Sequence, residues 1–293
     1  MKHVINIAVV NFYAEWGNKE NNLARILDYT EAAGKRGADM LVMPETCLTG
    51  YMDEEGKSRT EKMHARLAET IPGPSTEKVA ELARKYGMFV VFGMSEKDPA
   101  DETKIYNSAA IIHPDGKMEA YRKLHLPFAE GNWAVVGDEP VLIDTPWGPV
   151  GITICYDTYC FPELIRYYRA KGARLTLNCT ACPDGNCTAG SAELAIPAYA
   201  FGNYIFIASS NLVGNDHGAH FMGGSGVVGP AIDKGGVHTY VGHMFKDPNS
   251  DQAEMYLGTI DLSMADVNTD IPLFRGDWRP ELYKKMCEDV LAN

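Results

Sequence analysis

One stretch, Gly148 to Glu163, constrains the fold of this chain more than any other. Its apolar, β-branched run from Val150 to Ile154 ends abruptly at Cys155, and Pro162 then opens a segment with apolar residues at helical spacing. This order predicts a strand, a sharp turn and a helix, with Cys155 at the junction. A helix amino terminus favours a thiolate, so Cys155 is a candidate nucleophile. The alternative is a buried structural cysteine, since the chain has seven cysteines.

Length and composition exclude several classes of protein. The 293 residues suffice for one large domain or two small ones, and the formal charge of −12, without a basic cluster, argues against nucleic acid as a partner. The amino terminus turns polar at Asn11, too early for a signal peptide, and no apolar run approaches the about 18 residues of a membrane helix. We therefore expect a cytoplasmic protein with reduced cysteines and no membrane partner.

Strand and helix patterns alternate along the chain without a linker-like break. Strands outnumber helices, which predicts a single α/β domain with two sheets and helices outside. Residues 263–293 form a mostly polar tail that we expect to lie on the body or on a neighbouring subunit. The predicted strands are 4–10, 38–44, 88–93, 105–113, 119–126, 150–154, 173–178, 204–210, 221–228, 236–241 and 255–260, and the predicted helices are 21–36, 77–86, 163–171 and 191–201.

Three predicted strands end at a reactive side chain. Glu45 follows Leu-Val-Met-Pro, Lys123 ends Tyr-Arg-Lys, and Cys155 follows Gly-Ile-Thr-Ile. A partly desolvated carboxylate can take a proton from a thiol, and a nearby lysine can stabilise a developing oxyanion. Together the three indicate acyl transfer through a thioester. On spacing alone two other interpretations stay open, in which Glu45 caps a helix and Lys123 is a solvated edge residue.

The same residues lie in blocks that resemble the signatures of the carbon–nitrogen hydrolase (nitrilase) superfamily. The blocks are Met43-Pro-Glu-Thr-Cys-Leu-Thr-Gly-Tyr51, Tyr121-Arg-Lys-Leu-His-Leu-Pro127, and Ile154-Cys-Tyr-Asp157 with Phe161-Pro-Glu163. Weaker resemblances follow at Asn107-Ser-Ala, Gly223 to Pro230 and Arg279 to Tyr283. The resemblance covers nearly the whole chain in order.

This resemblance implies a four-layer α-β-β-α sandwich over residues 1–262 that pairs into a homodimer. It implies Glu45 as general base, Cys155 as nucleophile, and Lys123 with the backbone N–H of Tyr156 as oxyanion donors. Glu130, which precedes Gly137-Asp138 at the family's spacing, matches a second glutamate that positions substrate; otherwise it is a loop carboxylate. The implied mechanism requires no metal and no organic cofactor.

The resemblance indicates an amidase that releases ammonia from a small carboxamide. The same mechanism also fits an N-carbamoyl-amine amidohydrolase acting on a ureido substrate. A nitrilase fits less well, because the chain has Cys155-Tyr-Asp where nitrilases usually have Cys-Trp-Glu. A catalytically silent binding protein of the same fold is the remaining alternative. Thr158 and Tyr159 stand where branches that bind acidic substrates often have arginine, so a carboxylate-bearing substrate is not supported there.

The turn after Cys155 departs from the family pattern by one extra residue before Phe161, so we expect a shifted or bulged helix start.

Further along, Cys179, Cys182 and Cys187 have no second cysteine pair or nearby histidine pair to complete a zinc site, and pocket lining or packing is the main interpretation. His125 is interpreted as structural rather than as a further base. Residues beside the catalytic blocks are expected to bind the substrate, namely Tyr51, Phe128, Trp133, Asn178, Cys179 and Thr180.

Overall fold

Two six-stranded sheets organise the chain in the computed structural model. The structure describes residues 1–184, 187–231, 236–245, 247, 249–266 and 278–292, without the side chains of residues 187–189. Each sheet has three parallel strands at its centre and antiparallel strands outside them.

The first sheet is built from the amino-terminal part of the chain and one late strand. Its members are β1 (Val4–Asn11), β2 (Met40–Val42), β3 (Phe89–Lys97), β4 (Ile105–Ile112), β5 (Met118–Arg122) and β14 (Glu254–Asp261). Their spatial order is β14-β1-β2-β3-β4-β5, with β1, β2 and β3 parallel and the other pairs antiparallel.

The second sheet has the order β13-β12-β9-β8-β7-β6, with β7, β8 and β9 parallel. Its members are β6 (Val141–Thr145), β7 (Gly148–Ile154), β8 (Leu175–Thr180), β9 (Phe206–Asn211), β12 (Gly226–Ala231) and β13 (Gly236–Gly242). A separate two-stranded hairpin joins β10 (Val213–Asp216) to β11 (Ala219–Met222).

Helices cover the outer face of both sheets. The first sheet carries α1 (Lys19–Lys35) and α3 (Pro74–Tyr86), and the second carries α5 (Pro162–Ala170) and α6 (Cys187–Asn203). The remaining helices are α2 (Met63–Leu67), α4 (Tyr156–Cys160) and α7 (Pro280–Leu291). Among the described residues, every helix is too short or too polar to span a bilayer.

The alternation of side chains along β1 explains the layers. Ile5, Ile7 and Val9 face the second sheet in one buried cluster, whereas Ala8 and Val10 pack beneath α1 and α3 in another. Because alternate side chains of a strand point to opposite faces, a strand that is apolar throughout must be covered on both sides. The result is the predicted four-layer α-β-β-α sandwich.

Several sequence-based boundaries were wrong. The predicted strand 221–228 is two strands, β11 and β12, because Gly223 and Gly224 between them take positive φ angles of 74° and 88°. The sequence patterns also missed β6, β10 and the short α4. Within the predicted tail, 263–293, residues 280–291 form a helix. Residues 267–277 of that tail lie outside the described residues.

Candidate active site

Three strand ends bring the predicted reactive side chains together between the sheets. Glu45 lies just beyond β2, Lys123 directly follows β5, and Cys155 directly follows β7. All three are buried. Because these strands belong to two facing sheets, residues up to 110 positions apart meet at one point, as the edge of an α/β sandwich allows.

Lys123 is at the centre of the buried charges. Its Nζ lies 2.7 Å from Glu45 Oε1 and 2.8 Å from Glu130 Oε2. Burial alone would lower the pKa of Lys123, but the charges of Glu130 and Glu45 outweigh it and raise that pKa well above its usual value. An ammonium has three N–H donors, so two are used by the carboxylates and one is left for a further acceptor.

Glu45 is held by three donors. Its Oε1 accepts from Lys123 and from Asn107 Nδ2 at 2.7 Å, and its Oε2 accepts from the backbone N–H of Ala181 at 2.7 Å. Each carboxylate oxygen accepts more than one hydrogen bond, so Oε2 keeps the capacity to take a proton. A carboxylate fixed in this way is oriented for proton transfer without further rearrangement.

Asn107 links the two glutamates. The same Nδ2 group donates to Glu130 Oε1 at 2.8 Å, and the backbone oxygen of Asn107 accepts from Lys123 N at 2.8 Å. Burial raises the pKa of Glu130 to about 7, with Lys123 acting in the opposite direction. In the sequence Asn107 stands only in one of the weaker family resemblances, because its contacts lie 62 and 23 positions away and produce no local pattern.

Cys155 has an unusual backbone. Its φ of 50° and ψ of −104° are rare for a residue with a Cβ and cost about 1–3 kcal/mol. Two hydrogen bonds from its N–H hold the turn, to Cys179 O and to Asn178 Oδ1, both at 2.9 Å. Burial and the charge of Glu45 raise the pKa of Cys155 well above its usual value, with Lys123 opposing them. The resting sulfur is therefore a thiol that needs a base.

Asp157 connects the lysine block to the cysteine block. It is fully buried, and its Oδ2 accepts from Tyr121 Oη at 2.7 Å. Its Oδ1 accepts from the backbone N–H of His125 at 3.0 Å and lies 2.8 Å from Nδ1 of the same histidine. The His125 ring stacks on Phe161 with centroids 3.5 Å apart. These contacts give His125 a structural setting, and they show that Asp157, which received no role from the sequence, fixes the segment after Lys123.

Residues after Cys155 form a helix of their own. The five residues of α4 end at Cys160, and Phe161, with φ −124° and ψ 82°, separates them from α5. Tyr156 is the first residue of α4, where backbone N–H groups point away from the helix body. The extra residue noted in the sequence lies within this short helix.

A cavity of about 240 Å³ opens beside Cys155. The predicted substrate-binding residues Tyr51, Phe128 and Trp133 line it, with Glu130 and Cys155 at one end. Tyr51 Oη donates to Glu130 Oε2 at 3.1 Å. This volume lies below the roughly 300–1,000 Å³ of drug-sized ligand sites, so the cavity fits a small molecule.

Three predicted substrate-binding residues do not line this cavity. Asn178, Cys179 and Thr180 end β8 and are fully buried. Asn178 Oδ1 accepts from Thr158 Oγ1 at 2.9 Å as well as from the Cys155 N–H, and Thr180 accepts from Tyr159 Oη at 2.5 Å and hydrogen-bonds the Cys155 thiol. The side chains of Asn178 and Thr180 therefore support the turn that contains Cys155.

The second cysteine group shows no metal geometry in the described part of the chain. No three His, Cys, Asp or Glu side chains there are placed to hold an ion. Cys179 and Cys182 are buried, and burial raises the pKa of Cys179. The side chain of Cys187 lies outside the described residues.

Comparisons with known proteins give the family and the fold of the chain. The family model "Carbon-nitrogen hydrolase" matches residues 6–233. The chain is 30% identical to the human omega-amidase, covering 90% of this chain and 92% of the relative, and 30% identical to a nitrilase of Pyrococcus abyssi, covering 78% and 83%. A solved Glu→Gln variant of the amidase from Nesterenkonia sp. AN1 is 25% identical, with a TM-score of 0.75 and 96% of each chain covered. In it the acetamide moiety of fluoroacetamide is covalently added at the active-site cysteine.

Proposed function

The chain belongs to the carbon–nitrogen hydrolase family, and we propose that it is an amidase that converts small, uncharged carboxamides into a carboxylic acid and ammonia. The observation that carries the proposal is the buried group in which Lys123 pairs with both Glu45 and Glu130, together with the buried Cys155. The covalent adduct on the active-site cysteine of the Nesterenkonia amidase supports a cysteine intermediate.

In the first half of the reaction the Cys155 sulfur attacks the amide carbon while Glu45 takes the thiol proton. Transfer and attack occur together because the raised pKa of Cys155 disfavours a free thiolate. The tetrahedral oxyanion is stabilised by the third N–H of Lys123 and by the backbone N–H of Tyr156. Glu45 then returns the proton to the nitrogen, the C–N bond breaks, and ammonia leaves a thioester on Cys155.

In the second half water replaces the amide nitrogen. Glu45, again a carboxylate, takes a proton from the water as it attacks the thioester carbonyl, and the same two donors stabilise the oxyanion. Collapse releases the carboxylic acid, and the proton on Glu45 returns to the sulfur. Glu130, bonded to Lys123, Asn107 and Tyr51, keeps the lysine in place through both halves.

The charges around the cavity indicate an uncharged substrate. Among the described residues that line it, the charged groups are Asp53 and Glu130. The two lysines that contact these carboxylates are themselves paired, since Lys123 bonds both Glu45 and Glu130 and the buried Lys62 Nζ lies 2.7 Å from Asp53 Oδ1. A carboxylate on the substrate would lose its hydration without gaining an ion pair.

A substrate panel tests this proposal. Ammonia release is measured for a short alkyl amide, the monoamide of a dicarboxylic acid, a ureido compound and a nitrile. We expect the alkyl amide to have the highest kcat/KM, at least about 10-fold above the acidic monoamide, because burying an unpaired carboxylate costs more than the about 1.4 kcal/mol that corresponds to a tenfold change. Preference for the acidic monoamide contradicts the charge argument, while turnover of only the ureido compound or only the nitrile contradicts the amidase assignment.

We also propose that the protein is a homodimer in the cytoplasm. Helix α7 exposes Leu282, Tyr283, Met286, Val290 and Leu291, and beside it a groove of about 640 Å³ runs against α5 and α6. An exposed apolar surface of this kind is commonly an interface, and a second copy is its proposed occupant. A cytoplasmic location suits a catalytic thiol, which must stay reduced. Sedimentation of the purified protein at twice the chain mass is the expected result.

A further inference from the structure

Asp216 is a buried carboxylate that the proposed mechanism does not use. It ends β10 in the separate hairpin, and only 2% of its surface is exposed. Its Oδ2 accepts from the backbone N–H of Tyr51 at 2.6 Å, and its Oδ1 has no hydrogen-bond partner among the described residues. Burial raises the pKa of Asp216 to about 6, although hydrogen bonds from the backbone N–H groups of Tyr51 and Met52 act to lower that pKa. The fold keeps an acid here although burial disfavours its charge.

The contact with Tyr51 leads directly to the catalytic group. Tyr51 Oη donates to Glu130 Oε2, the same oxygen that accepts from Lys123 Nζ at 2.8 Å. The Tyr51 ring packs edge-on against Phe221 of β11, with centroids 6.2 Å apart. Both the backbone and the ring of Tyr51 are thus placed by the hairpin, and its hydroxyl is placed on Glu130.

Close packing fixes the loop on the hairpin. Gly50 has a φ of 93°, and a Cβ there would lie 3.0 Å from Trp16 and 3.4 Å from Asp216 Oδ2. The Trp16 ring stacks on His217 with centroids 4.2 Å apart, and its Nε1 donates to Met52 O at 2.8 Å. The loop therefore approaches Asp216 as closely as glycine permits, which leaves Tyr51 little freedom to move.

The hairpin also contacts the opposite wall of the cavity. The backbone oxygen of His220 accepts from Asp184 N at 2.8 Å, and the two side chains of His220 and Asp184 pair as well. Asp184 follows Pro183, which lines the cavity, and Ala181, whose N–H holds Glu45. The β10–β11 hairpin thus contacts both the segment that bonds Glu130 and the segment that bonds Glu45.

We propose that Asp216 is a positioning residue, which sets Tyr51 against Glu130 and thereby aims the third N–H of Lys123 at the substrate oxygen. The proposal rests on the amidase function above. It assigns to the β10–β11 hairpin, which carries no catalytic side chain, control over the geometry of the oxyanion donor.

A double-mutant cycle separates positioning from general stability. Asp216→Ala should lower kcat about 30-fold with a smaller change in KM, since the lost interaction acts on the transition state. Asp216→Asn should stay within about 3-fold of wild type, because the amide oxygen still accepts from Tyr51 N. In a Tyr51→Phe background, Asp216→Ala should lower kcat less than about 3-fold, because that background already lacks the hydroxyl through which Tyr51 contacts Glu130. Additive losses, or no rescue by asparagine, overturn the proposal.

A second readout does not depend on amide turnover. The rate of Cys155 alkylation by iodoacetamide reports how well Lys123 favours the thiolate, since Lys123 lowers the pKa of Cys155. Asp216→Ala should slow alkylation at least about 3-fold, and Asp216→Asn should not. Asp261→Ala is a control for the loss of an aspartate acceptor, because the exposed Asp261 also accepts a backbone N–H, at 2.9 Å from Ser263, but lies on β14. If wild type alkylates normally but hydrolyses no amide, the proposed function fails while this test still decides the role of Asp216.

Discussion

Replacing Cys155 by alanine should lower amide turnover by at least about 10⁴-fold while leaving substrate binding largely intact, as losses of a catalytic nucleophile generally do. The removed sulfur is the group that forms the covalent bond, and no neighbouring side chain has its position at the end of β7. The cavity keeps its other lining residues, so binding of an amide, measured by calorimetry, should change little.

The matched control is Cys160→Ala, which removes an exposed cysteine five positions along the same turn. It should keep wild-type turnover and wild-type alkylation. If Cys155→Ala and Cys160→Ala lost activity to the same extent, the effect would arise from the turn and Cys155 would not be the nucleophile.

Glu45→Gln should give the second large effect, a fall in kcat of about 10³-fold or more, because removal of a general base together with its proton return affects both halves of the reaction. The amide cannot take the thiol proton or deliver one to the departing nitrogen. Stability should fall by about 1–3 kcal/mol, since glutamine has one acceptor oxygen and its NH₂ group must face either Ala181 N–H or the donors Lys123 and Asn107.

Cysteine alkylation and amide hydrolysis should respond differently to this substitution. Glu45 raises the pKa of Cys155 and Lys123 lowers it, so the neutral side chain lets the lysine favour the thiolate. Alkylation by iodoacetamide, which needs no proton for a leaving amine, should persist or become faster while amide hydrolysis is lost. The control variant is Glu69→Gln. The half-buried Glu69 carboxylate also accepts from a backbone N–H, that of Ser75 at 2.7 Å, so this variant should lose stability without losing turnover. Amide hydrolysis at the wild-type rate in Glu45→Gln would exclude Glu45 as the base.

The sequence was most informative at strand ends. Glu45 and Cys155 each follow an apolar run, and Lys123 lies in a predicted strand of mixed polarity. The carboxyl ends of strands are where an α/β fold places its catalytic groups, so the meeting of these residues could be predicted. Glu130 lies in a short 3₁₀ helix, Phe128–Asn132, with no strand pattern around it, and only the family resemblance suggested it.

Other parts of the site have no local signal. Asp216 contacts a residue 165 positions away, and Asp157 reaches across 32 to 36 positions, so no spacing rule connects them to their partners. Asn178 and Thr180 were expected in the cavity because they neighbour the cysteine block. Their polar groups instead satisfy the donors and acceptors of a strained turn, a need that appears only once the backbone of Cys155 is known.

The most direct test of the account is the mass of the enzyme during turnover. Wild-type protein is mixed with a short alkyl amide, quenched in acid within milliseconds to seconds, digested and analysed by mass spectrometry. We expect the peptide that contains Cys155 to gain the mass of the acyl group transiently, and no such gain in Cys155→Ala or Glu45→Gln. Steady ammonia release without an acyl adduct, or with the adduct on a different cysteine, would contradict the thioester mechanism proposed for this site.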